Sequence, residues 1–321
     1  MDRRQARARF LIGAALLIIG AAAAPLLPIR EARWVVPGSV ERNLTRQPSE
    51  CLAWPMAERD RHSVEIGRAA FRAPLLLGGQ AARAGVSCAS CHRNGRSNPD
   101  FQFPGISGPP GTADVTSSLM SKKRGDGNFN PKPIPDLAAA ASGHKIPRNS
   151  TSGELKHFIH GLVVEEFDGA EPPPAVLDGL VAYVRALSSD ACLDRRDLPI
   201  TLKGMLADAE GAVRAAQQVS GHGDPASARL LFGAARSTLG SIDERFALPG
   251  LEANRLLLRE ADGELHRIQE AAGTAAEARL VTQWWRNWPR RARMLKRNEA
   301  KSLFSVSILR RQLAGRVPSR D

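Results

Sequence analysis

Cys88-Ala-Ser-Cys91-His92 sets two thiols three residues apart and an imidazole directly after the second. On a single helical turn, residues three apart share a face. Both sulfurs can then form thioethers with the two vinyl groups of one haem, while the adjacent imidazole swings under the iron. C-x-x-C-H is the spacing of c-type haem attachment. A structural zinc site built on the same pentapeptide needs further Cys or His ligands at compatible spacing, and the other two thiols, Cys51 and Cys192, lie far away on either side. The expectation is one covalent haem c, bound by Cys88 and Cys91, with His92 as an iron ligand.

The second axial position is open to several groups. A thioether ligand raises the reduction potential relative to a second imidazole, and a vacant position admits substrate chemistry. Met120, in Ser117-Ser-Leu-Met-Ser-Lys-Lys123, is the candidate thioether and the only methionine of the segment after the motif. His144, in Ala141-Ser-Gly-His-Lys-Ile-Pro147, is the alternative candidate. His157 and His160 stand three apart on a predicted helix, where at most one is expected to face the haem. An iron with no second protein ligand is the remaining alternative. Trp54, Phe101 and Phe103 are candidates to pack on the porphyrin, and Arg68, Arg93 or Arg96 to pair with its propionates.

The compartment must suit these groups. Arg3, Arg4, Arg7 and Arg9 precede an uncharged run of 18 residues from Phe10 to Leu27, closed by Arg30 and Glu31. A cleavable signal carries about 7–15 apolar residues and a spanning helix about 20. Residues 1–31 are therefore read as a signal peptide or a membrane anchor, with the basic end in the cytoplasm. The remainder is expected in the periplasm, held at the inner membrane if this helix is an anchor. An oxidising compartment permits Cys51 and Cys192 to pair, clamping both ends of the haem-bearing segment.

Residues 32–56, with Pro37, Pro48 and Pro55, read as a lead-in or tether. A helix is predicted over 57–72, stopped by Pro74. Residues 93–151 hold eight prolines and many glycines; a structureless loop that long is unusual unless it wraps a prosthetic group. Helical patterns return at 153–167 and 175–188. From residue 198 the pattern is four helices, over approximately 199–219, 225–246, 250–271 and 275–312. Their short breaks imply antiparallel neighbours in a bundle. The predicted class is mainly α, with a haem domain over 57–192 and a C-terminal bundle over 198–321.

Several motifs carry a family resemblance. Gly67-Arg-Ala-Ala-Phe71, Pro74-Leu-Leu-Leu-Gly-Gly79 and Val86-Ser-Cys-Ala-Ser-Cys-His92 resemble one half of a bacterial dihaem cytochrome c peroxidase, a family that includes the methylamine-utilisation haem enzymes. Val181-Ala-Tyr183-Val-Arg-Ala-Leu187 is similar to the closing helix of cytochrome c domains. The resemblance covers about residues 57–190 and implies a cytochrome c-like fold in which Gly67 lets the first helix cross the last one closely. Those peroxidases use two haems, one to hold peroxide and one to feed it electrons. This chain has one such motif, so peroxide chemistry of that kind would need a partner haem.

The net charge of +12 resides in the tails: residues 1–9 carry +3 and residues 281–321 carry +9. In Gln283-Trp-Trp-Arg-Asn-Trp-Pro289 and the basic run that follows, tryptophans beside cations suit an anionic membrane surface or an acidic redox partner. Alternatively, Trp284, Trp285 and Trp288 close the bundle core beneath a solvated basic face. Export argues against nucleic acid. Electron transfer with a redox partner protein is the leading function. A peroxidase-related oxidoreductase or a haem-based sensor is the alternative.

Overall fold

The computed structural model describes residues 27–117, 119–139, 144–148, 150, 152–192 and 196–315. The expected signal or anchor helix lies outside the described residues. Among those residues no helix is long and apolar enough to cross a membrane. The architecture is mainly α. In chain order the helices are α1 (Val40–Thr45), α2 (Glu58–Phe71), α3 (Gly79–Ala84), α4 (Cys88–Cys91), α5 (Glu154–Gly161), α6 (Pro174–Ala186), α7 (Leu202–Gly221), α8 (Pro225–Arg245), α9 (Glu252–Ala271), α10 (Glu277–Arg297) and α11 (Val306–Ala314). Three two-stranded ribbons join β1 (Arg46–Pro48) to β6 (Asp197–Pro199), β2 (His92–Arg93) to β3 (Arg96–Ser97) and β4 (Thr112–Ala113) to β5 (Lys132–Pro133).

Helix α2 starts with Glu58 and Asp60, whose charges complement the positive end of the helix dipole, and it buries Val64, Ile66, Ala70 and Phe71. Helix α6 begins at Pro174, a residue suited to the first helical position, and buries Val176, Leu180, Tyr183 and Val184. The two helices cross where each carries glycine. A Cβ on Gly67 would lie 1.9 Å from the carbonyl oxygen of Gly179, and one on Gly179 would lie 2.8 Å from the amide nitrogen of Gly67. The close approach expected at Gly67 is therefore present.

Residues 32–56 are not a free tether. Val35 bridges to Phe101 and Leu52 to Leu187, and β1 pairs antiparallel with β6, Gln47 opposite Leu198. Beside this pairing, Cys51 and Cys192 form a disulfide. Each end of the segment between the two cysteines is thus anchored to the other.

The C-terminal helices form the predicted bundle, with one difference. Thr201 caps α7 by accepting from the Gly204 amide, 3.1 Å, and Asp224 caps α8 by accepting from the Ser227 amide, 3.0 Å, as favoured N-cap residues do. The last predicted helix, over 275–312, breaks after Arg297. A short turn at Glu299–Lys301 precedes α11. Here the Ser302 hydroxyl donates to the Glu299 carbonyl, 2.7 Å, and accepts from the Phe304 amide, 3.2 Å. Such local side-chain bonds compete with helix continuation. The Glu299 carboxylate then accepts from the Leu202 amide at the start of α7, 3.0 Å, and Leu303 is fully buried.

Trp284 and Trp288 face inward, 0% and 2% exposed, and stack with ring centroids 4.8 Å apart. Trp285 is partly buried beneath the Arg214 guanidinium, 5.3 Å from its ring. The tryptophans therefore close the bundle core, and the cations of α10 form its outer face. One apolar cluster runs from Val64 on α2 through to Leu295 on α10, with α2 packed on α7 and α8 as well as on α6.

Candidate functional site

The motif occupies the single turn α4. Ser87 precedes it and forms a capping box with Ser90, the Ser87 amide donating to the Ser90 hydroxyl, 3.0 Å. This reciprocal arrangement satisfies two amides that a helix start leaves unpaired, so a four-residue turn persists. The His92 amide donates to the Cys88 carbonyl. From His92 the chain enters a tight hairpin, His92 opposite Ser97 and Arg93 opposite Arg96. Asn94 and Gly95 at its tip both have positive φ, 50° and 75°, which is the requirement of a type I′ turn and the reason Asn-Gly favours one.

Cys88 and Cys91 are free thiols, each partly buried. Burial pushes both thiols up to about 12, so they are neutral at physiological pH. Burial also pushes the His92 imidazole down to about 4, although the Pro135 carbonyl opposes this. His92 Nδ1 lies 3.0 Å from that carbonyl. A carbonyl can only accept, so Nδ1 carries the proton and Nε2 keeps its lone pair free. This is how a metal-ligating histidine is oriented by its second nitrogen.

His144 is held in a parallel way. Its Nε2 lies 2.8 Å from the carbonyl of Asp136, the residue after Pro135. By the same logic Nε2 bears the proton. His144 Nδ1 is buried and has no hydrogen-bond partner. Two imidazoles thus hang from consecutive carbonyls, each with one free ring nitrogen. The Asp136 side chain binds the Arg96 guanidinium through both oxygens at 2.8 Å and accepts from the Ala138 amide, 3.0 Å, which fixes the carbonyl pair in place.

The other expected groups divide clearly. Met120 is buried, its amide bonded to the Ser117 carbonyl, 3.0 Å. His157 is exposed, and His160 turns to Glu171, 2.8 Å. Trp54 is largely exposed, whereas Phe101 and Phe103 are buried, Phe103 stacked on Trp34 with centroids 4.3 Å apart. The three arginines considered for propionates already have protein partners. Arg68 pairs with Glu50 and Asp208, both 2.7 Å; Arg96 pairs with Asp136; Arg93 donates to the carbonyls of Asn43, 2.7 Å, and Arg46, 2.9 Å.

Sequence reasoning did not find Pro135, which acts through its backbone carbonyl and leaves no side-chain signal. Nor did it find Glu50, which accepts from Arg72, 2.8 Å, and from the Tyr183 hydroxyl, 2.8 Å. Arg72 also donates to Asn94 at the hairpin tip, 2.8 Å. The Asn94-Gly95 dipeptide is the signal that could have located that turn.

Two adjacent thiols on one face and a partly buried neutral imidazole with a free Nε2 fit covalent haem. A structural zinc needs more ligands, and among the described residues no group of three or more His, Cys, Asp or Glu could hold a metal ion. No protein-family model, curated protein or solved structure matches this chain.

Proposed function

We propose that this chain is an exported monohaem c-type cytochrome that transfers electrons, with thioethers at Cys88 and Cys91 and His92 as an axial ligand. The observation that carries this reading is the pairing of His92 Nδ1 with the Pro135 carbonyl beside two free thiols on one turn. When bound, haem would supply a one-electron couple at its iron. The chain's own part is to tether the group at α4, to fix the His92 tautomer and ring plane, and to keep the thiol side of the turn in apolar surroundings.

For the second axial position His144 is favoured over Met120. Its buried Nδ1 lacks any partner, a costly state that ligation would relieve, whereas Met120 is accounted for as apolar packing. The exported compartment suits the Cys51–Cys192 disulfide. An acidic redox protein suits the outer face of α10, where Arg279, Arg286, Arg290, Arg293 and Arg297 are exposed. The inward tryptophans weaken a membrane-inserting role for that helix.

The test is optical and paramagnetic spectroscopy of the purified chain, beside Cys88→Ser, His144→Ala and Met120→Ala. A haemochrome with two saturated linkages is expected in the parent and one linkage in Cys88→Ser. The low-spin spectrum should be lost in His144→Ala and kept in Met120→Ala. A parent that carries no covalent haem after expression with a haem-attachment system defeats the proposal. Ferric iron that is high-spin and binds cyanide in the parent would point instead to the peroxidase-related reading.

A further inference from the structure

We propose that the cavity behind the Cys88–Cys91 turn is a binding site for a small oxyanion, phosphate or a simple carboxylate, held between Arg93 and Arg245. The cavity encloses about 200 Å³. Ala89 and Ser90 of the turn and Ser237, Thr238 and Ser241 of α8 are among the residues that line it. On the turn, Ala89 and Ser90 occupy the face away from Cys88 and Cys91. The cavity is therefore separate from the side on which a group tethered at the thiols would lie.

The charges around it do not balance. Arg30 pairs with Glu244, 3.0 Å, Arg72 with Glu50, 2.8 Å, and Asp208 with Arg68, 2.7 Å. Three charged groups of the lining remain, namely Arg93, Arg245 and Glu31. Arg93 donates only to neutral acceptors, the Asn43 side-chain oxygen and the carbonyls of Asn43 and Arg46. Arg245 is 2% exposed. Its Nη1 donates to the carbonyls of Leu44, 2.7 Å, and Leu303, 3.4 Å, and its Nε and Nη2 reach no acceptor among the described residues. Glu31 is exposed and makes no hydrogen bond to either arginine.

Two guanidiniums thus share one carboxylate of the lining, Glu31, whose charge acts on both without a close ion pair to either. A buried charge without a close counter-charge is destabilising, and the free N–H groups of a guanidinium match the paired oxygens of phosphate or carboxylate. Burial is the main influence holding Arg245 below the ordinary guanidinium range; the Glu31 and Glu244 charges oppose it, and the Arg93 charge adds to it. The Ser241 hydroxyl, with no partner among the described residues, supplies a further donor. The cavity's volume takes such an ion together with bridging water.

Isothermal titration calorimetry of the full chain with inorganic phosphate and, separately, acetate, against a chloride background of equal ionic strength, tests this. A one-site isotherm is expected for one of the two anions, which identifies the source, and it should vanish in Arg245→Met. No isotherm with either anion, or one that persists in Arg245→Met, overturns the proposal. Should Arg245→Met fail to fold, Ser241→Glu places a carboxylate in the lining of the cavity. That variant should abolish binding, and binding retained at parental strength would equally overturn it.

Discussion

Glu50→Gln removes the negative charge that holds together a buried polar cluster. The Glu50 carboxylate is 14% exposed and accepts from Arg68 at 2.7 Å and Arg72 at 2.8 Å. Burial by itself would raise its pKa, but Arg72 and Arg68 outweigh burial and lower it from 4.5 to about 2. A folded-state pKa below the unfolded value means that the ionised carboxylate stabilises the fold above pH 4.5, and that this is lost as pH falls toward 2. The shift corresponds to roughly 3 kcal/mol at neutral pH, in line with the roughly 3–5 kcal/mol cost of breaking a buried ion pair. Glutamine leaves Arg72, whose side chain is 16% exposed, without its counter-charge. Urea denaturation followed by tryptophan fluorescence measures the difference between parent and variant. It should be about 3 kcal/mol at pH 7 and should narrow to about half that by pH 3. Removing Arg72 as well, in Glu50→Gln/Arg72→Met, should recover part of the loss. A gap below about 1 kcal/mol at pH 7, or one that does not narrow on acidification, would refute the reasoning.

Gly67→Ala sets a methyl against the Gly179 carbonyl oxygen, a backbone atom that cannot rotate away; a loss of about 1–3 kcal/mol or more is expected in denaturant titration, and a neutral outcome would contradict the close crossing. Replacing both Cys51 and Cys192 by serine frees a loop with a sequence separation of 141. Chain entropy puts the cost at roughly 4–5 kcal/mol, read as a lowered Tm that matches the parent's under reducing conditions. Trp284→Ala empties the centre of the bundle and should cost about 3–5 kcal/mol. If it instead leaves stability unchanged and alters vesicle binding, the tryptophans face outward.

What was legible in the sequence was local. The C-x-x-C-H spacing, the Pro74 stop after α2 and the glycines between bundle helices all act within a turn or two of themselves. Helix spans followed closely from them, whereas the Cys51–Cys192 pairing was expected from the reading of residues 1–31 as an export segment. The break after Arg297 was missed because Ser302 looks like any helix-surface serine until its hydroxyl is seen to take up backbone groups.

Tertiary structure alone decided the rest. Which carbonyl receives the His92 proton depends on bringing Pro135 back across a long loop. Which histidine keeps a bare nitrogen beside it depends on the next peptide, at Asp136. Glu50 became the hub of a buried network only because α2 and α6 cross at two glycines and carry Arg68, Arg72 and Tyr183 to it. Trp284 and Trp288 had two readings in a basic amphipathic helix, and only the presence of α7 and α9 on one side turned them inward. A sequence fixes what each residue can donate, accept or bury. The partner that answers it is chosen by the chain's return from far away, and that choice sets the orientation of His92 and His144 and the surroundings of Arg93 and Arg245.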